Sequence, residues 1–232
     1  NGGAAWRAPN LFELFANGPH LAEGRYEIGD PNLKAEHALN VDASIRWQSP
    51  RVRAELDGFR DLVNDFVYIT PTTQTIDGLR VFRHLQADAL LTGAEASAEV
   101  EAAHNLLLRA RHDFVRGTLR DNDASLPLMP PPRTAAGAEY DFSTVWASRA
   151  FVGGEVEHVD RQKHPNGLDL VTPGYTLLNL DVGFHYTLFG RSARIDVGVR
   201  NATNKSYRNF LSRYKEFALE PGRNLILRIS TD

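Results

Sequence analysis

Residues 39–47 read Leu-Asn-Val-Asp-Ala-Ser-Ile-Arg-Trp. Leu39, Val41, Ala43, Ile45 and Trp47 share one parity, and Asn40, Asp42, Ser44 and Arg46 share the other. Successive side chains of a β-strand point to opposite faces, so this stretch is a strand with one apolar and one wet side.

The alternation recurs along the chain. Val52, Ala54 and Leu56 alternate with Arg51, Arg53, Glu55 and Asp57, and Ala94, Ala96, Ala98 and Val100 with Glu95, Ser97, Glu99 and Glu101. Leu106, Leu108, Ala110 and Phe114 oppose Arg109, Arg111 and Asp113; Leu178, Leu180, Val182, Phe184 and Tyr186 oppose Asn179, Asp181 and His185. Ile195, Val197 and Val199 oppose Arg194, Asp196 and Arg200; Leu225, Leu227 and Ile229 oppose Asn224, Arg228 and Ser230. Segments 133–141 and 145–158 repeat the pattern more weakly. With the end of a strand near Trp6, the pattern predicts about nine or ten strands.

Connections alternate in length. Residues 48–50, 102–104, 141–143 and 188–191 make short turns, whereas 70–84, 118–132, 159–174 and 205–221 make long loops. In an up-and-down antiparallel sheet, alternate connections lie on opposite rims, and one tight rim with one long-loop rim is the habit of outer-membrane barrels. A β-sandwich also alternates, with its polar face toward bulk water. The apolar faces end in aromatics (Trp47, Phe59, Phe66, Tyr68, Phe114, Tyr140, Trp146, Phe184, Tyr186 and Tyr207), as interfacial girdles would. The expected fold is all-β: an antiparallel up-and-down transmembrane β-barrel, here a partial one.

Composition sets the bounds. The chain has 232 residues, 42% hydrophobic and 24% charged, which suits a folded domain rather than a disordered tail. No apolar run approaches the roughly 18–20 residues of a membrane helix, but a barrel strand averages to a polar hydropathy and escapes that test. There is no cysteine, so disulfides, thiolate zinc sites and cysteine nucleophiles are excluded. The net charge of −3 gives no push toward nucleic acid. Asn1-Gly2-Gly3 opens no basic-then-apolar leader, so either the chain is cytoplasmic or its N-terminal part lies upstream. No metalloenzyme pair of the His-Glu-x-x-His kind, Ser-His-Asp order or phosphate loop is present, so no catalytic residue is assigned and no catalytic cofactor is expected.

Four ordered motifs carry a family resemblance. Trp6-Arg-Ala-Pro-Asn-Leu-Phe-Glu-Leu-Phe15 and Gly29-Asp-Pro-Asn-Leu-Lys-Ala-Glu36 resemble the opening signature of TonB-dependent outer-membrane receptors. Pro173-Gly-Tyr-Thr-Leu-Leu-Asn-Leu180, Val199-Arg-Asn-Ala-Thr-Asn-Lys-Ser-Tyr207 and Pro221-Gly-Arg-Asn224 resemble its closing strands. The resemblance implies a 22-stranded family barrel of which residues 1–232 are the C-terminal nine or ten strands. The N-terminal plug domain and energy-coupling box have no counterpart here. It also implies a bacterial outer-membrane location, a transporter rather than an enzyme, and three kinds of partner: membrane lipid, its own plug and, through that plug, the TonB complex. The family ends in an aromatic residue whereas this chain ends Ser230-Thr-Asp232, which suggests a natural terminus slightly further on. An open sheet leaves two unpaired edges, which missing strands must close.

Glu13-Leu-Phe-Ala-Asn-Gly-Pro-His-Leu-Ala-Glu23 is closest in wording to the zinc-acquiring branch of that family. The resemblance makes His20 the candidate metal ligand, with Glu23 as a companion, because imidazole and carboxylate suit a borderline cation. Zinc is then expected as transported ligand, with a ferric siderophore, haem or cobalamin-type chelate as the alternative cargo. His158, Asp160 and His164 fall on one expected external loop and form a second candidate capture group. Arg109, Arg111, Arg194, Arg200 and Arg228 should face the lumen, there either attracting anionic chelates or pairing with carboxylates such as Asp113, Asp196 and Glu99. His112 falls on an apolar face, where a local register shift is expected to relieve it. The alternative of a different class is a soluble β-rich interaction module; a barrel hydrolase is disfavoured for want of a nucleophile constellation.

Overall fold

The computed structural model describes residues 1–145, 147–167, 169–188 and 191–231, with the side chains of Thr187 and Leu188 outside the description. Trp146, Leu168, Phe189, Gly190 and Asp232 lie outside the described residues. The chain forms β1 (Gly2–Arg7), a short helix α1 (Leu11–Phe15), β2 (Asn17–His20), β3 (Arg25–Ile28), β4 (Glu36–Gln48), β5 (Val52–Ile76) and β6 (Leu79–Ala103). There follow β7 (Leu106–Leu119), β8 (Arg133–Phe142), β9 (Arg149–Val159), β10 (Tyr175–Leu188), β11 (Arg191–Arg200) and β12 (Asn224–Thr231).

All twelve strands belong to one sheet. Its path runs β1-β4-β5-β6-β7-β8-β9-β10-β11-β12, with β2 and β3 off the path, which leaves ten consecutive antiparallel strands. This is an open, up-and-down partial barrel with β1 and β12 at its edges.

Burial decides what the apolar faces meet. Ile45 is 69% exposed, Trp47 65% and Leu227 61%, although they lie on the alternating apolar faces. In a β-sandwich these faces would be the core. The largest fully buried side chains are instead Phe210, Leu126 and Val81, and none of them lies on those faces. Phe210 and Leu126 sit in connections and Val81 on the outer part of β6. The packed core therefore sits at the long-loop rim, and the sheet offers its apolar face outward, which suits a solvent of acyl chains.

The polar face carries matched charge. Arg109 bridges Glu99 (3.3 Å) and Glu139 (3.2 Å), and Arg111 bridges Glu155 (3.1 Å) and Glu157 (3.3 Å). Arg194 meets Asp196 at 2.7 Å and Arg200 meets Asp181 at 2.8 Å. Asp113 pairs with Arg133 rather than with the arginines of its own strand. Arg228 opposes Asp196 across the β11–β12 ladder, and the structure shows no ion pair for it among the described residues.

Four expectations are corrected. Residues 70–84 are not a loop: β5 and β6 run on and meet at Asp77-Gly78. Both residues have positive φ, 50° and 78°, the type I′ hairpin that an Asp-Gly pair favours. In the overhang no lipid face selects an alternating pattern, so the sequence there does not read as a strand. A bulge between Val63 and Phe66, with Asp65 at φ 54°, marks that change. Phe59 is no girdle residue: it pairs with Asp42 and Gly93, on the polar face. Tyr207 is none either, because its ring packs 4.2 Å from that of buried Tyr175. Finally, no register shift relieves His112. The β6–β7 and β7–β8 ladders run through it unbroken, and its Nδ1 lies 2.8 Å from Thr134 Oγ1. One cross-strand hydrogen bond satisfies the ring where it stands.

Candidate functional site

The long-loop rim is built first by the opening signature. Asn10 caps α1, accepting from Glu13 N–H while the Glu13 carboxylate accepts from Asn10 N–H. Arg7 then joins Glu13 and Glu36, each at 2.8 Å. Three signature residues thus form one ion cluster that ties β1, α1 and β4 together. Gly29 closes the unit, its N–H donating to Ala16 O at 2.7 Å. A Cβ on Gly29 would lie 2.7 Å from Glu13 O and Leu14 C, both backbone atoms that cannot swing aside. Gly29→Ala should therefore destabilise the protein by about 1–3 kcal/mol, read as a lower midpoint in thermal unfolding; an unchanged midpoint would show that α1 is not held there.

On this frame, β2 and β3 form a hairpin joined by a 3-10 turn, Leu21–Glu23, and by Gly24 at φ 63°. Its second strand adds in parallel to β6, with Glu27 opposite Phe82. The hairpin folds His20, Glu23 and Glu27 together, their ligand atoms all within 4.8 Å of one another. His20 Nδ1 lies 3.2 Å from Glu27 Oε1 and 3.9 Å from Glu23 Oε1. From β6, His84 brings Nε2 to 3.6 Å from Glu27 Oε2.

Two cations regulate the charge. Arg25 is buried and touches Glu23 at 2.7 Å and Glu27 at 2.6 Å, and Arg213 reaches Glu23 at 3.6 Å. The contact to Glu23 Oε2 is ionic only; that buried oxygen makes no hydrogen bond among the described residues. Burial pushes the Glu27 carboxyl up, but hydrogen bonding from Arg25, its charge and the nearby imidazoles outweigh this and hold it below the ordinary range. The two ring nitrogens of His84 are buried and neither is hydrogen-bonded among the described residues. Leaving such atoms unpaired is unfavourable. One imidazole and two carboxylates around a common point, with a second imidazole against Glu27, are a donor set for a borderline divalent cation.

A neighbouring cavity of about 60 Å³ shares Glu23 and Arg25 with this cluster. Arg80, Arg213 and Lys215 also line it, facing Asp169 and Glu216. Lys215 is buried over Phe210, and desolvation pulls its ammonium below the ordinary value.

The second expected capture group is not assembled. His158 lies in β9 rather than in a loop, with its ring bonded to Thr176 Oγ1 (2.8 Å) and Asp160 (3.2 Å). His164 lines a different cavity, and no metal group among the described residues includes these three. The residues not anticipated are Glu27 and His84. Glu27 had a usable signal, because its carboxylate lies one short hairpin from His20; His84 had none.

Comparison with known proteins follows the geometry. Residues 2–202 match the family model "TonB dependent receptor-like, beta-barrel". Among solved structures, the copper transporter OprC has a TM-score of 0.81 at 21% identity, covering 98% of this chain and 35% of that one. The FrpB iron transporter from Neisseria meningitidis (F3-3 variant) has a TM-score of 0.67 at 17% identity, covering 98% and 36%. BauA, the ferric preacinetobactin receptor from Acinetobacter baumannii, has a TM-score of 0.66 at 17% identity, covering 85% and 30%. The chain thus spans about a third of the length of these structures, and at such identities the likeness is one of fold.

Proposed function

The chain belongs to the TonB-dependent receptor-like β-barrel family, and on that premise we propose that it supplies wall and external mouth to an outer-membrane receptor for a scarce nutrient. The cargo is a divalent transition metal, zinc first, caught by His20, Glu23, Glu27 and His84. The observation carrying this reading is the convergence of His20, Glu23 and Glu27 at the long-loop rim, with His84 against Glu27 and its buried ring nitrogens without a hydrogen bond among the described residues. The receptor is a transporter and not an enzyme. A plug domain would occupy the wet side, and the TonB complex would pull on that plug.

Fold does not choose the cargo, since a copper transporter and ferric-chelate receptors share it. The donor set favours a borderline cation. Imidazole favours zinc and copper over hard cations, and these 232 residues include no cysteine. A second reading, an anionic metal chelate (ferric siderophore, haem or cobalamin-type), draws on the cationic wall of the adjoining cavity.

Calorimetry on the receptor in detergent, with Zn²⁺, Cu²⁺ and a ferric chelate, separates the two. Zinc should bind, and His20→Ala should weaken it roughly 10- to 100-fold. Chelate binding that His20→Ala leaves intact, without zinc binding, would replace the first reading with the second.

A further inference from the structure

The connection 201–223, between β11 and β12, reaches back to the β2–β3 hairpin. Its base is pinned where it leaves the sheet. Asn201 donates to Lys205 O at 2.8 Å and to Pro221 O at 3.4 Å, and Glu220 N–H donates to Tyr207 O at 3.0 Å. Its tip is a run of short turns over residues 209–218. Lys215 holds that tip from within, its ammonium donating to Phe210 O at 2.8 Å. Ser212, Arg213, Lys215 and Glu216 of the tip line the cavity beside the metal-ligand cluster.

Three contacts join tip and hairpin, and they fall on three consecutive residues. The Tyr214 hydroxyl donates to Ala22 O. Arg213 Nε lies 3.6 Å from Glu23 Oε2. The Phe217 ring lies over Gly24, where a Cβ would meet it at 3.5 Å. Of the three, only the Arg213 contact involves a charge, and its partner is a candidate cargo ligand.

Charge decides what Arg213 does there. Glu23 and Glu27 bring two negative charges, and Arg25 and Arg213 bring two positive ones, so the arginines already balance the carboxylates. A divalent cation entering between His20, Glu23 and Glu27 would leave two positive charges in excess in a partly buried place, which is unfavourable. The two arginines are not equally free to yield. Arg25 is buried, grips Glu23 at 2.7 Å and Glu27 at 2.6 Å, and lies over the Phe82 ring at 5.1 Å. Arg213 is exposed and meets Glu23 only at ionic distance. A guanidinium already in contact with water loses least by turning into it.

Resting on the metal reading of this cluster, we propose that Arg213 is an exchangeable counter-ion of Glu23: the arriving cation takes its place, and the tip 209–218 is loosened from the hairpin. Arg25 stays. The effect of Arg213 is thus opposite to that of a ligand. Removing His20 weakens binding; removing Arg213 strengthens it.

The test is a calorimetric zinc titration of the detergent-purified receptor that carries this chain, as wild type, Arg213→Gln and Arg213→Lys. Amide hydrogen exchange over residues 209–218, with and without zinc, is measured beside it. An exposed ion pair is worth up to about fivefold in an equilibrium, so Arg213→Gln should bind zinc about fivefold more tightly. Arg213→Lys, which keeps the charge, should stay near wild type. Zinc should speed exchange of residues 209–218 in wild type, and in Arg213→Gln that exchange should be fast before zinc is added. Equal or weaker zinc binding by Arg213→Gln would overturn the proposal. So would slower exchange on zinc binding, which would mean that the connection closes over its cargo. Failure of the wild type to bind zinc is a separate result: it would remove the metal reading itself, and this proposal with it. Circular dichroism before zinc is added checks that each variant is folded.

Discussion

A receptor carrying Glu27→Gln should bind zinc about 100-fold or more weakly than wild type, the largest loss of any single change at the mouth. Glu27 is the hub: one oxygen faces His20 at 3.2 Å, the other faces His84 at 3.6 Å, and Arg25 grips it from β3 at 2.6 Å. His20→Ala removes one donor; Glu27→Gln removes the charge on which both imidazoles converge while keeping the shape. The isosteric change also separates loss of a ligand from loss of a fold. Because the folded Glu27 carboxyl is held below its ordinary value, its contribution to stability is present at neutral pH. It is lost as the pH falls through that depressed value, below the ordinary carboxylate range. The Gln variant should therefore lack this acid-side loss, while wild-type zinc binding weakens on acidification because protons compete for every ligand. Calorimetry at several pH values reads both effects, and wild-type affinity in the Gln variant would remove Glu27 from the site.

The second large effect lies in the wall. Val182 stands midway along the apolar face of β10, flanked in register by Val152 and Val197. Val182→Arg should reduce stability by about 2–4 kcal/mol, and Thr176→Arg, opposite His158 at the long-loop end of β10, by only about 0–1 kcal/mol. Urea-dependent folding of the receptor into lipid vesicles measures both. The contrast is diagnostic, because a face turned to water would accept either arginine at little expense. Equal small effects would mean that the exposed apolar face does not meet lipid.

The strands that cross the membrane were legible because lipid enforces alternation: 39–47, 94–101 and 195–199 show it plainly. Where the sheet leaves the lipid, the code lapses. Thr72, Gln74 and Arg80 sit on a continuous hairpin at the long-loop rim, where no lipid face selects alternation, so their polarity imitates a loop, and only Asp77-Gly78 betrays the turn. The site divides in the same way. His20 and Glu23 are local and the 3-10 turn places them; His84 arrives through the parallel pairing of β3 with β6, a contact between distant segments with no local signature. His112 was misjudged because the cross-strand neighbour that satisfies it, Thr134, depends on a register that no single strand reveals.

The matched arginines of the wet face also bear on transit. A row of side chains in which each guanidinium already holds a carboxylate presents dipoles rather than net charge to a passing ion. Such a surface is slippery. In a receptor it would neither trap a cation nor repel an anion, and discrimination would fall to the mouth.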